Sequence, residues 1–319
     1  MRHIYSLTLL VFISLAPAYG QQDAQFSQYM YNMLYYNPAY AGVDGVTTVT
    51  AFHRTQWAGW TPTVAADGDG GINTQVVSLN TPILRLRSGL GIHIVNDNIG
   101  PQTNTEAQAS FAYQLGIGDA KLSLGARLGM YAQTLDFDRY RWVDEDDPLR
   151  QQGRETQVRP DLGLGVFVRH EEFYGGVSFN HLLEGQFDFG LDTLRNPLER
   201  HVTMIGAYEY EMNFKLKIIP SFLVKTDNFN TYSFDFGIIA RYDETLWGGL
   251  SFRQSEAAIA MFGYSFFKDK SLSVGYSFDY VIQGQEAKQP TSHEIFLSYR
   301  LPLISASEKK IIRTPRFRK

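Results

Sequence analysis

The residues that could do chemistry in this chain are few, and their spacing argues against most reactions. Asp144, Glu145, Asp146 and Asp147 form a run of four carboxylates, and oxygen-rich clusters suit calcium. The run lacks the spacing of a calcium-binding helix–loop–helix and reads as a solvated acidic loop. His293-Glu294 begins a zinc-protease pattern, but the fifth position is Leu297 where a second His is needed. Gly163-Leu164-Gly165 leads into Val166-Phe167-Val168, an extended run rather than the helix a phosphate loop requires, so small residues easing curvature is the simpler reading. The seven His are scattered without metal-ligand spacing. With no Cys there is no thiol catalysis, no thiolate metal site and no disulfide frame. A Ser–His–Asp triad is defined by geometry and has no order to be read here. The expectation is a protein without enzymatic activity, cofactor or metal.

What positions these side chains is an alternation of period two. In residues 231–242, Tyr232, Phe234, Phe236, Ile238, Ala240 and Tyr242 share one parity; Thr231, Ser233, Asp235, Gly237, Ile239 and Arg241 share the other. In residues 271–280, Leu272, Val274, Tyr276, Phe278 and Tyr280 oppose Ser271, Ser273, Gly275, Ser277 and Asp279. Residues 106–115, 121–130 and 173–180 repeat the pattern. No charge falls on the apolar parity of these five stretches. Fourteen strands are expected, at 46–54, 72–80, 88–96, 104–117, 120–134, 160–170, 172–183, 200–211, 214–226, 230–242, 245–254, 257–266, 270–280 and 293–301. The gaps between them alternate, mostly long and then short. Long loops on one side and tight turns on the other describe an all-β transmembrane antiparallel barrel in an outer membrane.

A soluble sandwich also alternates, but its turns are short on both sides and its apolar face meets one core. Here the polar parity is rich in Ser, Gly, Gln and charge of both signs, as a watery lumen is. Tyr208, Tyr210, Tyr242, Phe266 and Tyr280, with Trp247 at a strand start, suit interfacial girdles. The aromatic content of 14% fits this reading, and a net charge of −4 gives no general nucleic-acid-binding surface.

The ends differ from the middle. Arg2 and His3, an apolar run over residues 4–15, then Ala18 and Gly20 have the order of a secretory signal over residues 1–20, cut at Gly20–Gln21. The run falls short of the roughly 20 residues of a spanning helix. Residues 21–45 are aromatic and amide-rich and do not alternate. With an even strand count, both termini are expected in the periplasm, and residues 21–45 either lie there or fold into the barrel mouth as a plug. Residues 46–301 form the barrel. Residues 302–319 are a basic periplasmic tail, with Lys309, Lys310, Arg313, Arg316, Arg318 and Lys319 against Glu308, able to dock on an acidic partner or anionic lipid.

Three segments carry a family resemblance. Gln25-Phe26-Ser27-Gln28-Tyr29-Met30 followed by Tyr36-Asn37-Pro38-Ala39-Tyr40-Ala41-Gly42 resembles the N-terminal signature of the PorP/SprF family. Arg54-Thr55-Gln56-Trp57-Ala58-Gly59-Trp60 with Pro62 resembles the family's segment after the first strand. Ser292-His293-Glu294-Ile295 with Ser298-Tyr299 resembles its closing strand. Asp67-Gly68-Asp69-Gly70-Gly71 departs from the family's regular glycine-rich stretch. The resemblance implies a non-enzymatic outer-membrane partner of the type IX secretion machinery, concerned with protein secretion and gliding motility. It also implies a cargo, a particular large secreted or adhesin-type protein that is exported or held at the surface. On this reading the plug or partner contacts are Gln25, Phe26, Gln28, Tyr29, Asn37, Pro38, Tyr40, Gly42, Arg54, Gln56, Trp57, His293 and Glu294. Alternation alone fits a porin or gated channel for small solutes equally well.

Overall fold

The structure is a computed structural model and describes residues 23–63, 65, 71–142, 151–189, 196–229, 231–284 and 288–302. The signal-like residues 1–20, the acidic run at 144–147 and most of the basic tail lie outside the described residues.

Among the described residues, fourteen strands close into one barrel. They are β1 (Thr48–Gln56), β2 (Ile72–Ile83), β3 (Ser88–Ile99), β4 (Gln102–Ile117), β5 (Ala120–Asp136), β6 (Arg154–Arg169) and β7 (Phe173–Asn180), then β8 (His201–Tyr208), β9 (Leu216–Asp227), β10 (Thr231–Tyr242), β11 (Leu246–Arg253), β12 (Ala257–Phe266), β13 (Leu272–Val281) and β14 (Thr291–Arg300). Each strand pairs antiparallel with its neighbours in sequence, and β14 closes on β1 with Thr48 opposite Arg300 and Thr55 opposite His293. Closure leaves no sheet edge, which a lipid environment demands because it offers no substitute hydrogen bonds. No helix among the described residues is long and apolar enough to cross a membrane; the strands are the spanning elements.

The largest boundary difference is at β6, which begins at Arg154 rather than 160 and pairs from Arg154 opposite Asp136. Residues 154–159 are mostly polar on both parities, so this extension carries no apolar alternation to reveal it. A two-residue ribbon, Gln186–Phe187 with Asn196–Pro197, sits in the loop after β7 and was not expected.

The faces follow the alternation. In β10, Tyr232, Phe234, Phe236, Ile238, Ala240 and Tyr242 point outward, whereas Ser233, Asp235, Gly237 and Ile239 are buried. Tyr208, Tyr210, Tyr242, Phe266 and Tyr280 are exposed on the outer surface. Trp247 corrects the girdle reading: it is buried and faces the lumen, stacked 6.0 Å from Phe296. The lumen takes it because aromatic side chains of the N-terminal segment fill that space.

The outward face predicts its own mutational cost. Phe236 lies mid-strand between Phe222 of β9 and Phe252 of β11. Phe236→Arg is expected to destabilise the barrel by about 2–4 kcal/mol in bilayers, whereas Phe236→Leu costs far less. Urea unfolding in lipid vesicles measures the difference.

Candidate functional site

The site is the lumen, and what occupies it is the chain's own N-terminal segment. Residues 23–45 do not lie outside the barrel at the short-turn end. They start near the long-loop ends of β7 and β8 and descend through the interior to the start of β1. Phe26, Ser27, Gln28, Tyr29, Tyr36 and Ala39 are all buried. Of the two places expected for this segment, the periplasm or the barrel interior, residues 23–45 take the interior. A run so rich in Tyr, Phe and Met loses more by facing water than by packing.

Three one-turn helices shape the segment: Tyr29–Tyr31, Met33–Tyr36 and Pro38–Tyr40. The last is set by its sequence. The Asn37 carboxamide oxygen accepts from the Ala39 amide at 2.9 Å, and Pro38 takes the first helical position, where its missing N–H costs nothing. Gly42, at φ +72°, turns the chain toward β1, and its amide donates to Asn80 Oδ1 at 2.6 Å.

The strongest grip is electrostatic. Both oxygens of Glu294 accept backbone amides, from Ser27 and from Gln28, each at 2.8 Å. Arg54 lies between Glu294 at 3.4 Å and Asp279 at 2.8 Å, and it donates to Ser27 Oγ at 2.7 Å. Ser27 Oγ in turn donates to Asp279 at 2.6 Å. Arg253 pairs with Asp235 at 2.8 Å and donates to the Phe26 carbonyl at 3.0 Å. Arg54, Arg253, Asp279 and Glu294 are each only 1% exposed, so these charges depend on one another and on the segment for solvation.

Aromatic packing and wall hydrogen bonds do the rest. Tyr31 stacks on Phe296 at 4.6 Å and lies 4.7 Å from Trp247. Phe26 packs edge-on against Tyr35 and Phe52. The Tyr29 hydroxyl meets Ser221 Oγ at 2.8 Å. Arg127 donates to the Tyr35 carbonyl at 2.8 Å, Ser178 to the Tyr36 carbonyl at 2.6 Å and Ser123 to the Ala39 carbonyl at 2.6 Å. The Asn37 amide donates to the Val166 carbonyl at 3.0 Å.

The wall makes room with glycine. A Cβ at Gly89 would overlap the Ala41 carbonyl and Gly42, one at Gly125 would overlap the Ala39 backbone, and one at Gly165 would overlap the Asn37 side chain. Gly165 thus clears a path for the segment, beyond any easing of curvature. Gly125→Val is expected to expel this part of the segment at a cost of at least about 1–3 kcal/mol. Gly116, with open space around it, tolerates Ala. Proteolysis of the N-terminal segment in detergent, with heat-modified gel migration reporting barrel integrity, checks both.

The thirteen residues singled out in the sequence divide. Gln25, Phe26, Gln28, Tyr29, Asn37, Pro38, Tyr40 and Gly42 belong to the lumenal segment, and Arg54 and Glu294 hold it from the wall. Tyr40 bonds Asp44 at 2.6 Å and packs on Phe167. Gln56 reaches Glu256 at 3.4 Å, toward the long-loop end. Trp57 sits at that rim, 5.7 Å from Trp60 and under the Lys288 ammonium. His293 lies on the opposite face from Glu294, where the Tyr276 hydroxyl meets its Nδ1 at 2.7 Å; it touches no part of the segment.

Sequence reasoning missed Asp23, His181 and His201. His181 Nε2 is 2.9 Å from Asp23 Oδ1, and His201 Nδ1 is 3.7 Å from Asp23 Oδ2. Burial alone would raise the Asp23 carboxyl; His201, His181 and Lys225 more than offset it and hold the group well below the usual carboxylate range. His181 and His201 are twenty positions apart and Asp23 is 158 from His181, so no spacing signal marks their meeting. Asp279, Asp235 and Arg127 were legible, being charges on polar parities.

Below the segment, at the short-turn end, a cavity of about 190 Å³ is lined by Tyr31, Asp44, Arg169, Glu209, Arg241 and Arg300 among others.

A closed fourteen-stranded barrel with an apolar outer face and a filled, charged lumen defines a membrane β-barrel of the outer-membrane type. The sequence matches the family described as type IX secretion system membrane protein PorP/SprF over residues 18–299, and the chain belongs to that family. No curated protein matches it. Among solved structures it resembles the Ralstonia pickettii toluene transporter TbuX, with TM-score 0.50 and 10% identity over 84% of this chain and 93% of that one. It also resembles a TodX deltaS2S3 mutant monoaromatic hydrocarbon channel, with TM-score 0.51 and 10% identity over the same shares, 84% and 93%. At such identity these likenesses speak for the barrel fold alone.

Proposed function

We propose that this chain is a non-enzymatic accessory of type IX secretion that helps export, or hold at the surface, one large secreted or adhesin-type protein. The carrying observation is the lumen. Residues 23–45 fill it and are held by buried charges, so the barrel's useful surfaces are its loops and rims rather than a bore. Binding and not catalysis is the chemistry these surfaces offer.

In this reading the long loops face outward to cargo, the short turns face the periplasm, and the outer face meets outer-membrane lipid. The basic run from Lys309 to Lys319 is the periplasmic contact with secretion-machinery subunits. A second reading, a gated channel for small solutes, draws support from the cavity under the segment and from the segment's noncovalent attachment.

Surface proteomics of cells lacking the protein tests the proposal. One large exported protein is expected to vanish from the surface and return on complementation. An unchanged surface proteome with altered uptake of a small solute would favour the channel.

A further inference from the structure

The two buried imidazoles above Asp23 face oxygen acceptors with both of their nitrogens. His181 Nδ1 meets Asp161 Oδ2 at 2.9 Å and its Nε2 meets Asp23 Oδ1 at 2.9 Å. His201 Nε2 meets Asp227 Oδ1 at 2.6 Å, and its Nδ1 lies 2.9 Å from the Glu199 carbonyl and 3.7 Å from Asp23 Oδ2. A neutral imidazole carries one N–H, so each ring has one nitrogen lone pair aimed at an oxygen lone pair. Two remedies exist: a second proton on each ring, or a cation shared by the lone pairs.

Geometry favours the shared cation. The ring centroids are 5.5 Å apart, close enough for one ion to serve both rings. One ligand atom from each of Asp23, His181 and His201 lies within 4.8 Å of the others. Asp161 takes the far nitrogen of His181 at 2.9 Å, the arrangement by which a carboxylate orients and strengthens a zinc-binding imidazole, and Asp227 Oδ1 lies 2.6 Å from the far nitrogen of His201. A cavity of about 10 Å³ lies beside them, lined by Asp23, His181, Glu106, Arg127 and Lys225 among others.

The local charge agrees. Asp23, Asp161, Asp227 and Glu106 stand against Lys225 and Arg127. With neutral rings, including His93 on Glu106 at 3.0 Å, these groups leave two negative charges, which one divalent ion or a second proton on each of His181 and His201 cancels.

We propose that Asp23, His181 and His201 form a zinc-type metal site, with Asp161 and Asp227 as supporting carboxylates, that fastens the start of the lumenal segment to the long-loop ends of β7 and β8. Two imidazoles and a carboxylate are the donor set of three-ligand zinc sites, which complete their coordination with water or another oxygen. The Glu199 carbonyl is the nearest such oxygen. The ion contributes no reaction here; it ties residue 23 to the wall and so sets how readily the segment leaves.

The test uses the full-length protein in mild detergent, stripped with chelator and titrated with zinc chloride, then with cobalt chloride as a spectroscopic probe. One ion per chain is expected, with the visible bands of four-coordinate cobalt. Asp161→Asn is expected to weaken zinc binding about ten- to hundred-fold, and H181Q/H201Q to abolish it, while His53→Gln, on the outer face, leaves it unchanged. If H181Q/H201Q fails to form a heat-modifiable barrel, Asp23→Asn alters only the lumenal segment and is expected to lose the tetrahedral cobalt signal. Absence of saturable binding in the wild type, or binding unchanged by these substitutions, would overturn the site. So would a segment whose release follows imidazole titration and ignores zinc, which assigns the second protons instead.

Discussion

Deleting residues 23–42 is expected to turn a closed barrel into a conducting pore. In planar bilayers the intact chain should pass little current, and the truncated chain should hold a stable open level. The reason lies in what the segment covers. Phe26, Tyr29, Met33, Leu34, Tyr35 and Tyr36 are buried inside the barrel, and the wall behind them carries Arg54, Arg127, Arg253, Asp235, Asp279 and Glu294. With the segment gone, those charges face a lumen wide enough to hydrate them, and water with its ions follows. The strands keep every ladder hydrogen bond, so the truncated barrel should still form. Stable conductance through the intact protein would mean that the segment does not seal the bore.

The second large effect sits on one carboxylate. Glu294→Ala removes the acceptor for the Ser27 and Gln28 amides and leaves Arg54 with Asp279 alone. Two buried backbone amides are left without their acceptor, at about 1–3 kcal/mol each, while Arg54 keeps Asp279 as its charge partner. The chain has a cheaper escape than unfolding: the segment can leave and water can solvate Arg54. The expected result is therefore a protease-sensitive N-terminus, and conductance, at conditions where the wild type shows neither. Arg54→Met combined with Glu294→Gln strands Asp279 as a buried carboxylate without its cation and should lose more than Glu294→Gln alone, which a double-mutant cycle resolves. Single and double variants indistinguishable from wild type would remove the ion cluster from the account of plug retention.

These expectations show where sequence was sufficient. Parity placed Phe236 outside and Asp235 inside, and it placed Asp279 and Arg127 in the lumen, because period two leaves a side chain only two directions. The order of long and short gaps fixed strand count and closure. Parity says which face a residue takes but nothing about what stands opposite. Trp247 was therefore assigned to the membrane interface, although it faces inward against Tyr31 and Phe296. Ile239 and Phe296 share polar parities for the same reason: they pack the lumenal segment. The extension of β6 from Arg154 was hidden because residues beyond lipid need no apolar face. The meeting of Asp23, His181 and His201 was hidden because it depends on the path of a segment that does not alternate. His293, one residue from Glu294, shows the converse: adjacency in a strand puts two residues on opposite sides of the wall.

The proposed secretion role rests on partners, and they can be sought directly. The mature protein would be crosslinked in its native outer membrane, purified in mild detergent and analysed by mass spectrometry. The secretion reading expects subunits of the type IX machinery, together with one large exported surface protein, crosslinked to the long loops or the basic C-terminal run. Recovery of the barrel alone, with and without crosslinker, from a protein that conducts when its segment is released, would contradict that reading and leave a gated channel.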